Sequence, residues 1–419
     1  MTDAIDQKYW WKNVIIYEVY VDKFAGTFLN LTQKLPYLKS LGITCIHLLP
    51  HYPSPMIDDG YDVTDYMNVR ENLGTLQDFQ DFMQHARAMG IKVIVDMVLN
   101  HTSTQHPWFL EAQLSLHNSK RNFYLWSNTG KEYAGAPNLF PDLKDNNWVR
   151  NAPTNDYYFS TFHQGQADLN WNNPDVFSEM MRVLDFWVAI GVDGFRLDAV
   201  SHLIKEEGTV CDGLPKTHAT IKKIRAYLDE RYRDIVLLAE VGDSIPETKK
   251  YFGGGDECHL AYNFPLVAQL LIALKNNQEK LPQEFIASML EIPENCAFVN
   301  FLGHHDEMAL GMLDLAEKEM LLAYFDPEKK YRFANGVSLR IATMLHNDTE
   351  KIIKAFNMLF EIPGVPVIYC GDEIDMENDT LPKEEKDTRK SVRGSFNTAV
   401  ADKQGLDNAS LLNIISHIK

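Results

Sequence analysis

Eight short runs of β-branched and aromatic residues, separated by segments of helical spacing, constrain the fold of this chain more than anything else in it. They are Val14 to Val21, Cys45 to Leu49, Ile91 to Met97, the run from Ile190 to Asp198, Ile235 to Glu240, His259 to Phe264, Cys296 to Leu302 and Val365 to Tyr369. Between them, Leu35 to Leu41, Leu76 to Met89, Val176 to Ile190, Thr220 to Leu228 and Ile352 to Phe360 repeat apolar residues at helical intervals, and Gly42 and Gly90 stop two of these segments. Strands alternating with helices of this length imply parallel βαβ units. Eight such units predict an α/β fold, a (β/α)8 barrel, with its chemistry on the rim where the strands end. A doubly wound sheet would carry a glycine-rich phosphate turn after its first strand, and none follows Val21.

The alternation pauses between His101 and Pro174, where the sequence is aromatic, polar and rich in turns. An ordered excursion of that size between two βα units predicts a small functional subdomain. The expected division is residues 1–101 as the first part of the barrel, 102–174 as the insertion after the third strand, and 175–419 as the remainder. A net charge of −18 disfavours nucleic acid and anionic membranes as partners and suits a neutral ligand. The cysteines, Cys45, Cys211, Cys258, Cys296 and Cys370, are scattered without metal or redox spacing, so buried reduced thiols are expected. Met1 to Trp11 lacks the basic start and apolar stretch of a signal peptide, and no run is long enough to span a membrane; a cytoplasmic protein is the expectation.

Four strand ends gather the residues that can do chemistry. They are Asp96-Met97-Val98-Leu99-Asn100-His101, Gly194-Phe195-Arg196-Leu197-Asp198, Leu238-Ala239-Glu240, and Phe301-Leu302-Gly303-His304-His305-Asp306. In a strand, Arg196 and Asp198 share one side, so the cation is expected to depress the aspartate's pKa and keep it ionised as a nucleophile. Glu240 follows an apolar strand, a setting that raises a carboxyl pKa toward what a general acid needs. Carboxylates about 5–5.5 Å apart at one rim can run retaining glycoside hydrolysis, one attacking the anomeric carbon while another donates and then accepts a proton.

In these four segments, taken in order, the chain resembles the α-amylase superfamily, glycoside hydrolase family 13. The resemblance implies a TIM barrel with domain B inserted after the third strand. It implies Asp198 as nucleophile, Glu240 as acid/base and Asp306 as transition-state stabiliser, with His101, Arg196 and His305 binding the reactive sugar. Gln166-Ala167-Asp168-Leu169-Asn170 is similar to a further family region that closes domain B. Asp58-Asp59-Gly60-Tyr61-Asp62 resembles the turn with which exo-acting relatives hold the non-reducing glucose through Asp58 and Tyr61, and Arg393 stands where relatives place an arginine on the same sugar. The nearest resemblance is to trehalose synthases, in Asn100-His101-Thr102-Ser103, Gln105-His106-Pro107-Trp108-Phe109 and Gly254-Gly255-Asp256-Glu257-Cys258-His259.

Several positions depart from that pattern. His304 replaces an asparagine and receives no role. Gly303 replaces an arginine, which predicts a lost charge and extra room on the acceptor side. Gly394-Ser395-Phe396-Asn397 replaces the motif that follows Arg393 in relatives, and Ser410 to Ile418 reads as the last helix of the barrel, so the expectation is either that the C-terminal β-sandwich of relatives is absent or that the sequence is truncated before it. The chemistry requires no cofactor. A structural Ca²⁺ at Asn100 and Asp168 is implied by the resemblance, whereas Lys205, nearby, would put an ammonium in its place; both alternatives stand. The expected activity is isomerisation or transglycosylation of maltose, trehalose or a related small α-glucoside through a glucosyl-aspartate. The alternatives are an exo-α-glucosidase or amylase-type hydrolase, a sucrose-active relative, and a noncatalytic amylase-like binding protein. Oligomeric state is not legible.

Overall fold

The computed structural model describes residues 8–417. Its centre is a closed barrel of eight parallel strands: β1 (Ile16–Val19), β2 (Cys45–Leu48), β3 (Lys92–Val98), β4 (Gly194–Asp198), β5 (Val236–Ala239), β6 (Leu260–Tyr262), β7 (Ala297–Asn300) and β8 (Val365–Tyr369). Each strand pairs with its successor, and β8 pairs back onto β1. All eight predicted runs are therefore strands, trimmed by a residue or two at most ends. The strands are buried on both faces almost throughout, which is why they read as continuous apolar runs rather than as alternating ones.

The helices around the barrel begin and end on local chemistry. Thr75 accepts from Asp78 N–H while the Asp78 side chain accepts from Thr75 N–H, a reciprocal cap for Leu76–Ala88. Asn173 caps Pro174–Ile190, which has proline in its first turn and ends at Gly191 with φ 110°. Gly194 serves a different purpose: a Cβ there would lie 2.7 Å from the Val236 carbonyl oxygen, so a bare glycine lets β4 and β5 approach.

Between β3 and Pro174–Ile190 the chain builds two small antiparallel sheets. His101–Ser103 pairs with Gln166–Asp168, and Asp156–Phe159 is central to a three-stranded sheet with Trp126–Ser127 and Trp148–Asn151. Leu125, Trp148 and Phe159 form a core of their own there. A second excursion, after β7, folds Met308–Ala309, Gly336–Val337 and Arg332–Phe333 into another three-stranded antiparallel sheet. Nothing in the periodicity announced this flap. The last predicted helix is Leu411–His417, preceded by Thr398–Gly405; Ile418 and residues 1–7 of the N-terminal stretch lie outside the described residues. All five cysteines are free and buried. Among the described residues no helix is long and apolar enough to cross a membrane.

Candidate active site

Strand register brings the rim residues together. β3 pairs with β4 so that Asp96 lies opposite Arg196 and Val98 opposite Asp198, while Leu238 of β5 lies opposite Arg196 on the other side. Arg196 is buried, and its Nη1 meets Asp198 Oδ1 at 2.5 Å and Asp96 Oδ1 at 2.7 Å while Nη2 pairs with Glu240 Oε1. One guanidinium thus serves three carboxylates and holds Asp198 and Glu240 side by side. Ala199, in the left-handed region at φ 44°, directs its N–H to Glu240 Oε2 at 2.9 Å.

Arg196 lowers the Asp198 pKa as expected, but, shared in this way, not by enough to bring the carboxyl below its usual range. Burial is the largest influence on Asp198 and raises its proton affinity; Arg196 opposes it, and the charges of Glu240 and Asp96 reinforce it, so the carboxyl sits well above its usual range. A cation divided among three partners cannot compensate each of them. The raised proton affinity belongs to Asp198, whose carboxyl faces the charges of Glu240 and Asp96 around the same guanidinium.

Asp306, after β7, has the opposite environment. Burial raises its pKa, but Arg389 Nη1 at 3.4 Å, a hydrogen bond from Glu307, Arg393 Nη2 at 3.5 Å and His305 outweigh it and hold the carboxyl well below its usual range. His304, given no role in the sequence, accepts the Asp306 N–H through Nδ1 at 3.2 Å, and burial lowers its pKa to about 4. A neutral imidazole with a bare Nδ1 therefore fixes the turn that presents Asp306.

Beneath these groups lies a buried layer the sequence reading missed. Glu18 of β1 accepts from His305 N–H and Nδ1 at 3.0 and 2.9 Å and from the Tyr262 hydroxyl at 2.7 Å. His47 of β2 stands between Glu18 Oε2 at 3.3 Å and Asp96 Oδ2 at 3.4 Å. Burial alone would lower the His47 pKa, but its bonds and charges with Asp96 and Glu18 raise it. Strand ends in the order β1, β2, β3 carrying Glu18, His47 and Asp96 were the available signal: charged residues in apolar runs.

Above the strands, a cavity of about 440 Å³ is lined by Asp58, Tyr61, His101, Asp198, Glu240 and Asp306, six of the residues predicted from sequence. Tyr61 stacks on His305 with ring centroids 5.7 Å apart and donates to Asp96 Oδ2 at 3.0 Å. His101 contacts the Tyr61 carbonyl at 3.2 Å, and burial lowers its pKa to about 4. Arg196 and His305 support these residues from behind the cavity wall.

The arginine in the wall is Arg389, from the segment that follows β8, and not Arg393. Arg389 Nη2 meets Asp58 Oδ1 at 2.8 Å and Asp387 Oδ2 at 2.7 Å, and its guanidinium lies 4.6 Å from the rings of both Phe140 and Phe333. It ties the inserted subdomain and the flap to one end of the cavity. Arg393 stands behind it, donating to the His305 carbonyl at 2.8 Å and pairing with Asp59 at 2.6 Å. The four-residue spacing from Arg389 to Arg393 was the missed signal. Gly303 is also corrected. It is absent from the cavity wall, and a Cβ there would meet Asp372 Oδ2 at 3.1 Å, beside an Asp372–Arg340 pair at 3.0 Å, so the glycine opens no acceptor room.

The oxygens assigned to Ca²⁺ hold an ammonium. Lys205 Nζ lies 2.8 Å from Asn100 Oδ1 and 2.6 Å from Asp168 Oδ2, and it also donates to the His202 carbonyl. Asp168 accepts in addition from Thr161 N–H and Oγ1. A divalent cation at these oxygens would sit against a like charge, so the donor set does not fit the ion. Lys144 lies close by, bonded to Asn147 Oδ1 and to the carbonyls of Ser160 and Thr161, with its pKa lowered by burial to about 7.

Known proteins resemble this chain over most of its length. The chain is 38% identical over 378 residues to a trehalose synthase/amylase of Mycolicibacterium smegmatis, covering 88% of this chain and 64% of that protein. It is 37% identical over 400 residues to a trehalose synthase of Thermus thermophilus, covering 94% of this chain and 41% of that one. The chain thus spans between two-fifths and two-thirds of the length of these relatives. Among solved structures, a trehalulose synthase in complex with Tris superposes with a TM-score of 0.76 at 22% identity, covering 98% of this chain and 83% of that one. An isomaltulose synthase from Klebsiella sp. LX3 does so with a TM-score of 0.75 at 23% identity and the same coverage, a likeness of fold. The profile of the alpha amylase catalytic domain matches residues 12–409. With that match spanning nearly the whole barrel, the chain belongs to the α-amylase family, glycoside hydrolase family 13.

Proposed function

We propose that this chain transfers an α-glucosyl unit with retention, isomerising maltose to trehalose or a closely related α-glucoside. The observation that carries the proposal is the cavity itself. Asp58, Asp306 and Arg389 are tied together by ion pairs in its wall, and Asp198 and Glu240 lie in the same wall. Charged groups knotted together beside the reacting pair favour a terminal sugar over the middle of a chain, in keeping with the resemblance of the Asp58 turn to that of exo-acting relatives. Asp198 attacks the anomeric carbon while Glu240 gives its proton to the glycosidic oxygen, so that the C1–O bond breaks and a glucosyl ester forms on Asp198. Glu240 then takes the proton of an incoming hydroxyl as that oxygen displaces the ester. If the hydroxyl is the anomeric one of the freed glucose, the product is trehalose; if it is water, the product is glucose. Asp306, kept ionised by Arg389 and Arg393, counters charge developing on the sugar ring.

Relatives named trehalose synthase support isomerisation over hydrolysis, as does the flap and subdomain meeting over the cavity through Phe333 and Phe140, whose rings are 5.1 Å apart. Excluding bulk water favours recapture of the glucosyl unit by the sugar already present. The test is incubation with maltose, trehalose and sucrose, followed by the anomeric protons in NMR. Trehalose from maltose is expected, and glucose alone would overturn the reading. Mass-spectrometric detection of a 5-fluoro-glucosyl label on Asp198 is expected from the corresponding fluoride; its absence would favour a noncatalytic binding role.

A further inference from the structure

One buried titratable side chain beneath the cavity has no part in the reaction above. His47 projects from β2 with no exposed surface and lies opposite Glu18 of β1 in strand register. On its other side β2 pairs with β3 so that His47 lies opposite Ile94, and Asp96, two residues on, shares the face. His47 Nδ1 is 3.3 Å from Glu18 Oε2 and 3.1 Å from the Tyr262 hydroxyl, whose proton already goes to Glu18 at 2.7 Å. Its Nε2 is 3.4 Å from Asp96 Oδ2 and has no hydrogen-bond partner among the described residues, so the contact there is one of charge.

Both ring nitrogens therefore face oxygens that have no proton to give. A neutral imidazole carries one bare nitrogen, and here its lone pair would point at an oxygen lone pair. An imidazolium presents N–H on both sides. Burial opposes the charge, and the two carboxylates outweigh it and raise the pKa. Glu18, Asp96 and Tyr262 touch the ring; Arg196 and Tyr61 stand one contact further on through Asp96, and His305 through Glu18.

Asp96 carries this charge toward the chemistry. Its Oδ2 faces His47 and the Tyr61 hydroxyl, and its Oδ1 takes Arg196 Nη1, the same nitrogen that meets Asp198. The charges of Asp96 and Glu240 both raise the proton affinity of Asp198 against the pull of Arg196. A cation on the far side of Asp96 cancels part of that field.

We propose that His47 is a buried imidazolium and a positioning residue for the nucleophile, countering the charge of Asp96 so that Arg196 is left to hold Asp198 ionised. The inference rests on the glucosyl-aspartate reading and extends it to a group that touches neither sugar. Without the imidazolium charge, the full field of Asp96 reaches Asp198, which then ionises only at a higher pH.

The experiment follows the labelling of Asp198 by the 5-fluoro-glucosyl fluoride as a function of pH. The carboxylate attacks C1, the C–F bond breaks, and fluoride leaves with the electron pair. No proton has to be supplied, so the acid limb of the labelling rate reads the nucleophile rather than Glu240. Wild type is compared with His47→Gln, which keeps a donor without the charge, and His47→Leu, which keeps neither. Both substitutions are expected to move the acid limb up by about one pH unit, a label about tenfold slower on that limb. A barrel merely loosened at β2 labels more slowly at every pH and leaves the limb in place. Ring nitrogen NMR of the wild type, with the His47 signal assigned by its loss on substitution, is expected to show two N–H protons at neutral pH. An unmoved limb in His47→Gln, or a singly protonated His47, overturns the assignment; if His47→Gln fails to fold, His47→Leu is read in the same way. A wild type that takes no label on Asp198 overturns the glucosyl-aspartate reading and this inference with it, whereas a labelled wild type and an unmoved limb remove only the role of His47.

Discussion

Replacing Arg389 by lysine tests the electrostatic design of the donor end without removing its charge. The guanidinium reaches Asp387 through Nε and Nη2, Asp58 through Nη2 at 2.8 Å and Asp306 through Nη1 at 3.4 Å, while stacking between Phe140 and Phe333. An ammonium is a single point and cannot span that fork. It keeps the nearest carboxylates and gives up Asp306, and it loses the planar stacking. Charge-assisted hydrogen bonds contribute about 1.5–3 kcal/mol each, so losing one or two of them costs about 3 kcal/mol of transition-state binding. At 1.36 kcal/mol per factor of ten, that is a fall of about 100-fold in kcat/KM. The pH profile supplies an independent sign. Asp306 is depressed in the wild type and stays ionised as the solution is acidified; with less countercharge its pKa rises, so the variant loses activity at a higher pH on the acid side. Steady-state kinetics on maltose across the acid range measure both effects. A variant within threefold of wild type and an unmoved acid limb would refute the reasoning.

Chelators are expected to leave wild-type activity and melting unchanged, because Lys205 occupies the oxygens of Asn100 and Asp168. Lys205→Met strands a buried carboxylate at a cost of about 3–5 kcal/mol in unfolding free energy, and added Ca²⁺ is expected to raise the melting temperature of this variant but not of the wild type. Lys144 binds a proton less tightly in the fold, at about 7, than in the unfolded chain, at about 10.4. Between those values the unfolded state carries the extra proton, so the Lys144 contribution to stability grows with pH. Measured against Lys144→Gln by denaturant titration, the wild type should gain about 2 kcal/mol between pH 7 and pH 9, and a gap that shrinks with pH would contradict the assignment. Gly194→Ala should destabilise by about 1–3 kcal/mol, since its Cβ meets the Val236 carbonyl oxygen at 2.7 Å; thermal melting checks it.

Much of the site was legible because it lies at strand ends, and strand ends can be counted along a chain. Asp198, Glu240 and Asp306 each close an apolar run or follow one, and a barrel has a single rim to which such residues can go. Arg389 was not legible, because its loop lacks periodicity and its partners Asp58 and Asp306 lie 331 and 83 residues away. Glu18 and His47 were hidden for another reason: in a run otherwise filled with Ile, Tyr, Val and Leu, a single charged residue reads as noise until its neighbour on the next strand is known.

Read alone, the chain determined the number and order of the eight barrel strands, and with them the barrel and the chemical type of the residues on its rim. These depend on local periodicity, capping and turn chemistry, which act over a few residues. Only the tertiary structure decided how the charge is divided: Arg196 among Asp96, Asp198 and Glu240, Arg389 among Asp58, Asp306 and Asp387, and Lys205 between Asn100 and Asp168. Proton affinity in a buried cluster follows the distances to every neighbouring charge, and those distances are set by segments hundreds of residues apart packing against one another.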